Sequence, residues 1–151
     1  MAEGKSIHEL KIGDSAQISK TITEADIELF ARATGDFNPV HLDQAYAEKT
    51  LFKGRIAHGI LSLGLISSVF GNILPGHGSI YLSQEVKFLA PVRIGDTITA
   101  KVEVIELLLE KNRAKFKTTC TNQNGQLVVD GTAWTMPPKK GHFEIETCLK
   151  R

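Results

Sequence analysis

Hydrophobic residues in the first third of the chain recur at helical spacing. Thr23, followed three residues later by an acid, is typical of an N-cap and predicts that a helix begins directly after it. Ile27, Phe30 and Ala31 form the apolar stripe of that helix. Gly35 is placed to end it in a left-handed cap. The polar residues that follow therefore lie just beyond the end of a helix.

An uncharged segment occupies the middle of the chain. Residues 56 to 84 contain no Asp, Glu, Lys or Arg. This composition predicts a second helix from about Ala57 to Asn72, buried on all sides inside the domain. Serine and glycine residues interrupt the segment, whereas a membrane-spanning helix needs about 20 predominantly apolar residues. We therefore expect no membrane span.

In the second half of the chain the hydrophobic period changes to two, which is the mark of β-strands. Apolar residues alternate with polar ones over residues 98 to 104 and again over residues 114 to 120. Asn124-Gly125 is a strong hairpin signal, and a shorter strand fits residues 16 to 20. One fully apolar helix with about four long strands indicates an α+β domain in which a curved antiparallel sheet covers the helix.

The length of 151 residues is sufficient for one domain to bury a core without disulfides. We expect a single domain over residues 1–151, with its core at about 10–136 and a tail, 137–151, whose role the sequence does not indicate. Cys120 and Cys148 have no CxxC or Cys/His ligand spacing, so no structural metal is expected. The N-terminal sequence favours the cytoplasm, or the mitochondrial matrix if a transit peptide has been removed.

Charge gives no indication of a nucleic-acid partner. The chain has 18 Lys and Arg and 17 Asp and Glu residues, for a formal charge of +1, whereas a nucleic-acid surface needs a basic patch. The sequence also lacks a phosphate-binding loop, a dinucleotide fingerprint and an HExxH motif. We therefore expect chemistry without a tightly bound cofactor or metal.

The segment ATGDFNPVHLD, residues 33–43, is the first candidate for that chemistry. Asn38-Pro39 restrains the backbone, so the flanking Asp36 and His41 side chains have few available directions. A carboxylate and an imidazole held in this way can share one water, as addition or loss of water requires. The alternative is that Asp36 caps a turn and His41 bonds to backbone.

The second candidate is the start of the central helix. Gly59, in its first turn, has a backbone N–H without an intrahelical acceptor, where the helix dipole favours negative charge. This is an oxyanion site in outline, and the missing Cβ would let a thioester carbonyl approach closely. Alternatively, Gly59 is an ordinary helix start and His58 a buried, satisfied side chain. Ser62 and Ser67 lie farther along the helix, outside any GxSxG motif, and could simply bond to the preceding turn.

Together these motifs resemble the MaoC-like (R)-specific enoyl-CoA hydratases of the hot-dog superfamily, also called hydratase 2. The resemblance rests on GDFNPVHLDQAYA at residues 35–47, IAHGILSLGLIS at 56–67 and LPGHGSIYLSQEVKFLAPVRIGD at 74–96. It implies a hot-dog fold, in which an antiparallel sheet wraps a long central helix. It also implies a homodimer with its active site at the subunit interface.

Carried over position by position, the resemblance assigns catalytic roles to Asp36, His41 and the Gly59 amide. It assigns a further active-site serine to Ser67 and the turn asparagine to Asn38. The candidate substrate-binding residues are Asn38, His58, Ser62 and Ser67. No metal or cofactor is implied.

The implied reaction is reversible addition of water to a trans-2-enoyl thioester of CoA or acyl-carrier protein, giving the (R)-3-hydroxyacyl thioester. A hot-dog acyl-CoA thioesterase and a non-catalytic acyl-thioester-binding subunit are the alternatives. Acyl chain length, the carrier and the division of proton transfers between the acid and the histidine stay open. So does the pathway, which could be polyhydroxyalkanoate synthesis, fatty-acid synthesis or β-oxidation.

Overall fold

An antiparallel sheet forms the body of the computed structural model, which describes residues 2–140. Within those residues the sheet has five strands in the order β1-β3-β4-β5-β2, so β1 and β2 are its edges. The predicted antiparallel sheet is confirmed. The strands are β1 (Ser15–Thr21), β2 (Ile80–Phe88), β3 (Thr97–Leu108), β4 (Arg113–Thr121) and β5 (Leu127–Met136).

Within residues 2–140, four helices follow β1 along the chain before the sheet continues at β2. They are α1 (Glu24–Thr34), α2 (Pro39–Leu42), α3 (Gln44–Glu48) and α4 (Gly59–Asn72). Short 3-10 turns lie at Ile7–Glu9 and Leu109–Lys111. Helix α1 begins and ends as predicted, because the Thr23 hydroxyl accepts from the Asp26 N–H at 3.2 Å and Gly35 adopts φ 77°. Local capping chemistry therefore defines this helix.

Helix α4 begins two residues later than the sequence predicted. The Ala57 N–H donates to the Val92 carbonyl at 2.7 Å, and the Ile56 N–H donates to the Val40 carbonyl at 3.3 Å. These contacts hold residues 56 and 57 against other parts of the fold. The helix therefore starts two residues after the predicted position of about Ala57: His58 is the N-cap and Gly59, in the first turn as predicted, is the first helical residue.

The hydrophobic core lies between α4 and the inner face of the sheet. Ile66 and Val69 of α4 are fully buried, as are Val102 and Phe116 of the sheet. The alternating burial along β3 and β4 matches the period of two predicted from the sequence. Burial of these aliphatic and aromatic side chains supplies the main driving force for placing α4 on the sheet.

One face of α4 is open in the single chain. Ile60, Gly64, Ser67 and Gly71, which recur at helical spacing, are all exposed. The prediction that this helix is buried on all sides is therefore wrong for one chain, because the sheet covers only one side of it. We refer to these four residues as the open face of α4.

The structure describes residues 137–140 of the predicted tail. Lys140 Nζ pairs with Glu9 at 2.7 Å, and Asn112 Nδ2 donates to the Pro137 carbonyl at 2.9 Å. Residues 141–151, including Cys148, lie outside the described range. Among residues 2–140, no helix combines the length and apolar character that crossing a membrane requires.

Candidate active site

The Asp36 loop is held by hydrogen bonds in which its own side chains accept from its backbone. Asp36 Oδ1 accepts from the Asn38 N–H at 3.2 Å, and Asn38 Oδ1 accepts from the Val40 N–H at 3.2 Å. Asn38 is thus the N-cap of α2, with Pro39 as its first residue. The Asn38 oxygen accepts from the backbone of its own loop, and the second carboxylate oxygen of Asp36 accepts no hydrogen bond from residues 2–140.

Within residues 2–140, one nitrogen of the His41 ring forms a hydrogen bond. Its Nδ1–H donates to the Ile56 carbonyl at 2.8 Å, and the residue is 8% exposed. In the neutral ring this leaves the lone pair on Nε2, which can accept a proton. The backbone of His41 is held as well, since Arg55 Nε donates to its carbonyl at 2.8 Å while Arg55 pairs with Glu24 of α1.

The environment of His41 favours its neutral form. Burial lowers the pKa of His41 from its ordinary value of 6.5, and the neighbouring His58 lowers it further. The Ile56 carbonyl and Asp36 act in the opposite direction. A histidine with a lowered pKa remains an unprotonated base to lower pH than a free one.

Asp36, His41 and His58 converge on one small region. A carboxylate oxygen of Asp36 and one ring nitrogen of each histidine lie within 4.8 Å of one another. Two hydrogen bonds of about 2.8 Å span such a separation, so one water can bridge two of these groups.

This donor set could also suggest a transition-metal ion. However, the His41 and His58 rings are stacked, with centroids 3.9 Å apart and planes 30° from parallel. Ring lone pairs lie in the ring planes, so those of a stacked pair do not converge on one ion. One nitrogen of each ring also faces a backbone carbonyl, Ile56 for His41 and Asp36 for His58. The geometry is better suited to binding water.

The Gly59 N–H is available for an external acceptor. Gly59 is the first residue of α4, and the hydrogen bonds within residues 2–140 include no acceptor for its amide. The helix dipole adds partial positive charge at this position. Gly59 lines an apolar pocket of about 520 Å³ together with Phe52, Ser62, Phe88 and Val129. An anionic oxygen at the mouth of this pocket could be stabilised by that amide.

Phe88 explains why residue 59 is glycine. A Cβ added to Gly59 would lie 2.9 Å from two atoms of the Phe88 ring. The Phe88 ring occupies the side on which a Cβ would lie, whereas the expectation that the missing Cβ lets a thioester carbonyl approach stays a prediction. No sequence motif indicates this contact, since it joins the end of β2 to the start of α4.

The remaining predicted residues occupy different positions around α4. Ser62 is buried and lines the pocket, and its carbonyl accepts from Cys120 Sγ at 3.7 Å. Ser67 is exposed on the open face of α4, about 12 Å along the helix from Gly59 at 1.5 Å per residue. His58 is 3% exposed and contacts His41. Within one chain, Ser67 therefore lies outside the Asp36–His41 group.

Comparison with known proteins gives relatives over most of the chain. An (R)-specific enoyl-CoA hydratase from Rhodospirillum rubrum is 53% identical over 133 residues, which are 88% of this chain and 92% of that protein. A mitochondrial 3-hydroxyacyl-[acyl-carrier-protein] dehydratase from Arabidopsis thaliana is 38% identical over 134 residues, covering 85% of this chain and 78% of that protein.

A solved structure shares the same architecture. R-hydratase PhaJ1 from Pseudomonas aeruginosa, in the unliganded form, aligns with a TM-score of 0.85 at 47% identity, covering 91% of this chain and 88% of that one. The family described as "MaoC like domain" matches residues 10–127. With its central helix α4 packed on a five-stranded antiparallel sheet, this chain belongs to the MaoC-like family and has its hot-dog fold.

Proposed function

We propose that this chain is an (R)-specific enoyl-thioester hydratase, which in the reverse direction is a 3-hydroxyacyl-thioester dehydratase. The observation that carries the proposal is the approach of the Asp36 carboxylate to the imidazole of His41 within the reach of a single water. The apolar pocket and the Gly59 amide lie beside the same helix start. The hydratase and dehydratase names of the relatives support the reaction class and its stereochemistry.

The reaction follows from these groups. Asp36 and His41 Nε2 hold the water and take up one of its protons as its oxygen forms a bond to C3 of the enoyl thioester. The C2–C3 double bond becomes single, and its electrons shift toward the thioester oxygen, where the Gly59 N–H stabilises the enolate. A proton delivered to C2 completes the addition and returns the pair to its starting charge.

The pocket supports an acyl thioester as the substrate. Its walls are mainly apolar, with Phe52, Val92 and Val129 among them, so a hydrocarbon chain would gain free energy by leaving water. Assays of purified protein with crotonyl-CoA and with crotonyl-acyl-carrier protein test the substrate class and distinguish the two carriers. The cytoplasmic location, or the mitochondrial matrix, stays a prediction.

A homodimer is part of the proposal. The open face of α4 presents two glycines, which let another backbone approach closely. Strand β2 is an edge of the sheet, and its Ile80, Leu82 and Phe88 side chains are exposed. Edge strands and contiguous apolar surface favour pairing with another chain. A second copy would cover both features and bring its own α4 face near the site, where Ser67 would contribute.

We expect sedimentation velocity of the purified chain to give the mass of a dimer. Leu82→Glu should shift the protein toward monomer, because it places a charge on the edge of the sheet. Leu109→Glu is the matched control: it changes an exposed leucine in the turn between β3 and β4 and should remain dimeric. A monomeric wild type, or equal behaviour of the two variants, would contradict this interface.

The acidic limb of the pH profile of kcat/KM should have its midpoint below pH 6.5. The sign follows from the lowered pKa of His41: the unprotonated base persists as pH falls through 6.5, and activity is lost only when the ring gains a proton at lower pH. Initial rates measured at low substrate concentration across this range provide the test. A midpoint above 6.5 in the stable pH range would contradict the role of His41 as a buried base.

A further inference from the structure

His58 is one of the most constrained side chains near the candidate active site. It is 3% exposed, and its Nε2–H donates to the backbone carbonyl of Asp36 at 3.0 Å. Its ring stacks on His41 and also contacts Phe30 of α1, with centroids 4.6 Å apart. A side chain enclosed in this way has no surface left for an acyl thioester. Its contacts are with residues that handle the water.

We propose that His58 is a positioning residue, which fixes the water-binding pair relative to the oxyanion amide. His58 directly precedes Gly59 in the chain and is the N-cap of α4. Its side chain contacts Asp36 through a hydrogen bond and His41 through ring stacking. One residue therefore connects the Asp36 loop, α2 and the start of α4.

The geometry of the substrate explains why the Asp36 loop, α2 and the start of α4 must be connected. In an enoyl thioester, C3 and the thioester oxygen are separated by a planar conjugated unit of fixed length. The water must reach C3 while the Gly59 N–H reaches the oxygen, so the spacing of the two protein groups must match that unit. Displacement of reacting groups by about 1 Å can cost roughly a hundredfold in rate. A rigid ring between the two groups maintains the required spacing.

Two further observations support positioning over a purely structural role. The His58 side chain forms no capping hydrogen bond to α4, so helix capping does not account for a histidine at this position. The other ring nitrogen, Nδ1, is buried without a hydrogen-bond partner within residues 2–140. Leaving a buried polar atom unpaired costs stability. A residue chosen for packing alone would incur no such cost, whereas a donor aimed at the Asp36 carbonyl explains why a histidine occupies this position.

The inference rests on the proposed hydratase function, and two matched substitutions test it. In His58→Gln the amide can place a donor near the position of Nε2, whereas in His58→Asn the donor is too short to reach the Asp36 carbonyl. We expect kcat for crotonyl-CoA hydration to fall roughly tenfold to a hundredfold in His58→Asn and only a few-fold in His58→Gln. The KM should stay within about threefold of wild type in both, since His58 does not touch the substrate.

The activity of the wild type distinguishes failure of the proposed function from failure of the positioning role of His58. An inactive wild type would contradict the proposed function itself. If the wild type is active, equal kcat values in the two variants, or a raised KM with unchanged kcat, would overturn the positioning role of His58. Thermal unfolding identifies folded protein, and if His58→Asn does not fold, His58→Phe replaces it. That variant keeps an aromatic ring against His41 without the donor and should lose kcat to the same extent.

Discussion

Replacing Asp36 with Asn is expected to lower kcat for crotonyl-CoA hydration by roughly 10²- to 10⁴-fold, the usual contribution of a general acid or base. The asparagine oxygen can still accept from the Asn38 N–H, as Asp36 Oδ1 does at 3.2 Å, so the loop should keep its shape. What is lost is the carboxylate that helps to take a proton from the water. Steady-state kinetics at saturating substrate measure this change.

Asp43→Asn is the matched control for Asp36→Asn. Asp43 caps α3, where its Oδ1 accepts from the Tyr46 N–H at 3.0 Å, and the substitution removes the same charge from the same segment. Asparagine is an equally good N-cap, so we expect kcat within about threefold of wild type. An Asp36→Asn enzyme with wild-type kcat would eliminate the proposed role of the carboxylate. A comparable loss in Asp43→Asn would instead indicate a general effect of charge.

Gly59→Pro should cost roughly 10²- to 10³-fold in kcat, as removal of one oxyanion donor does in other enzymes. Proline is tolerated at the first position of a helix, where its missing N–H would have had no intrahelical acceptor. His58, with ψ 129°, already has the extended conformation favoured before proline. The substitution therefore deletes the amide hydrogen at a position that can accept the proline backbone.

Gly59→Ala is the matched control for the Cβ atom that Gly59→Pro adds. Both variants place a Cβ against the Phe88 ring, at 2.9 Å before relaxation, but alanine keeps the N–H. The clash is with ring atoms of one side chain and not with backbone, so a small shift of the Phe88 ring can relieve it, and Gly59→Ala should fold and retain activity within about tenfold of wild type. Equal losses in the two variants would indicate that the added Cβ against Phe88, and not deletion of the amide hydrogen, lowers kcat.

The sequence predicted those parts of the fold that depend on local chemistry. Helix α1 is defined by Thr23 and Asp26 at its start and Gly35 at its end, all within reach of neighbours in the chain. The alternating strands also followed from the period of two, and the antiparallel pairing of β4 with β5 followed from the hairpin signal at Asn124-Gly125. The exact start of α4 did not, because it depends on the Ala57–Val92 hydrogen bond between distant segments.

The same distinction between local and long-range contacts applies to the candidate active site. Asp36 and His41 could be identified because one short loop carries both and Pro39 restrains it. The role of Phe88 and the enclosure of His58 could not, because each depends on elements that meet only in three dimensions. The open face of α4 was missed for a further reason. The lack of charged residues predicts a fully buried helix, whether its second side packs against the same chain or against another copy.

The most direct test of the central claim is the product formed from crotonyl-CoA by the purified wild-type protein. Loss of the conjugated enoyl-thioester absorbance would show hydration, and chiral separation of the product would give its configuration. We predict 3-hydroxybutyryl-CoA of the (R) configuration with the thioester intact. Release of free CoA without hydration, formation of the (S) product, or no reaction would contradict the proposed function.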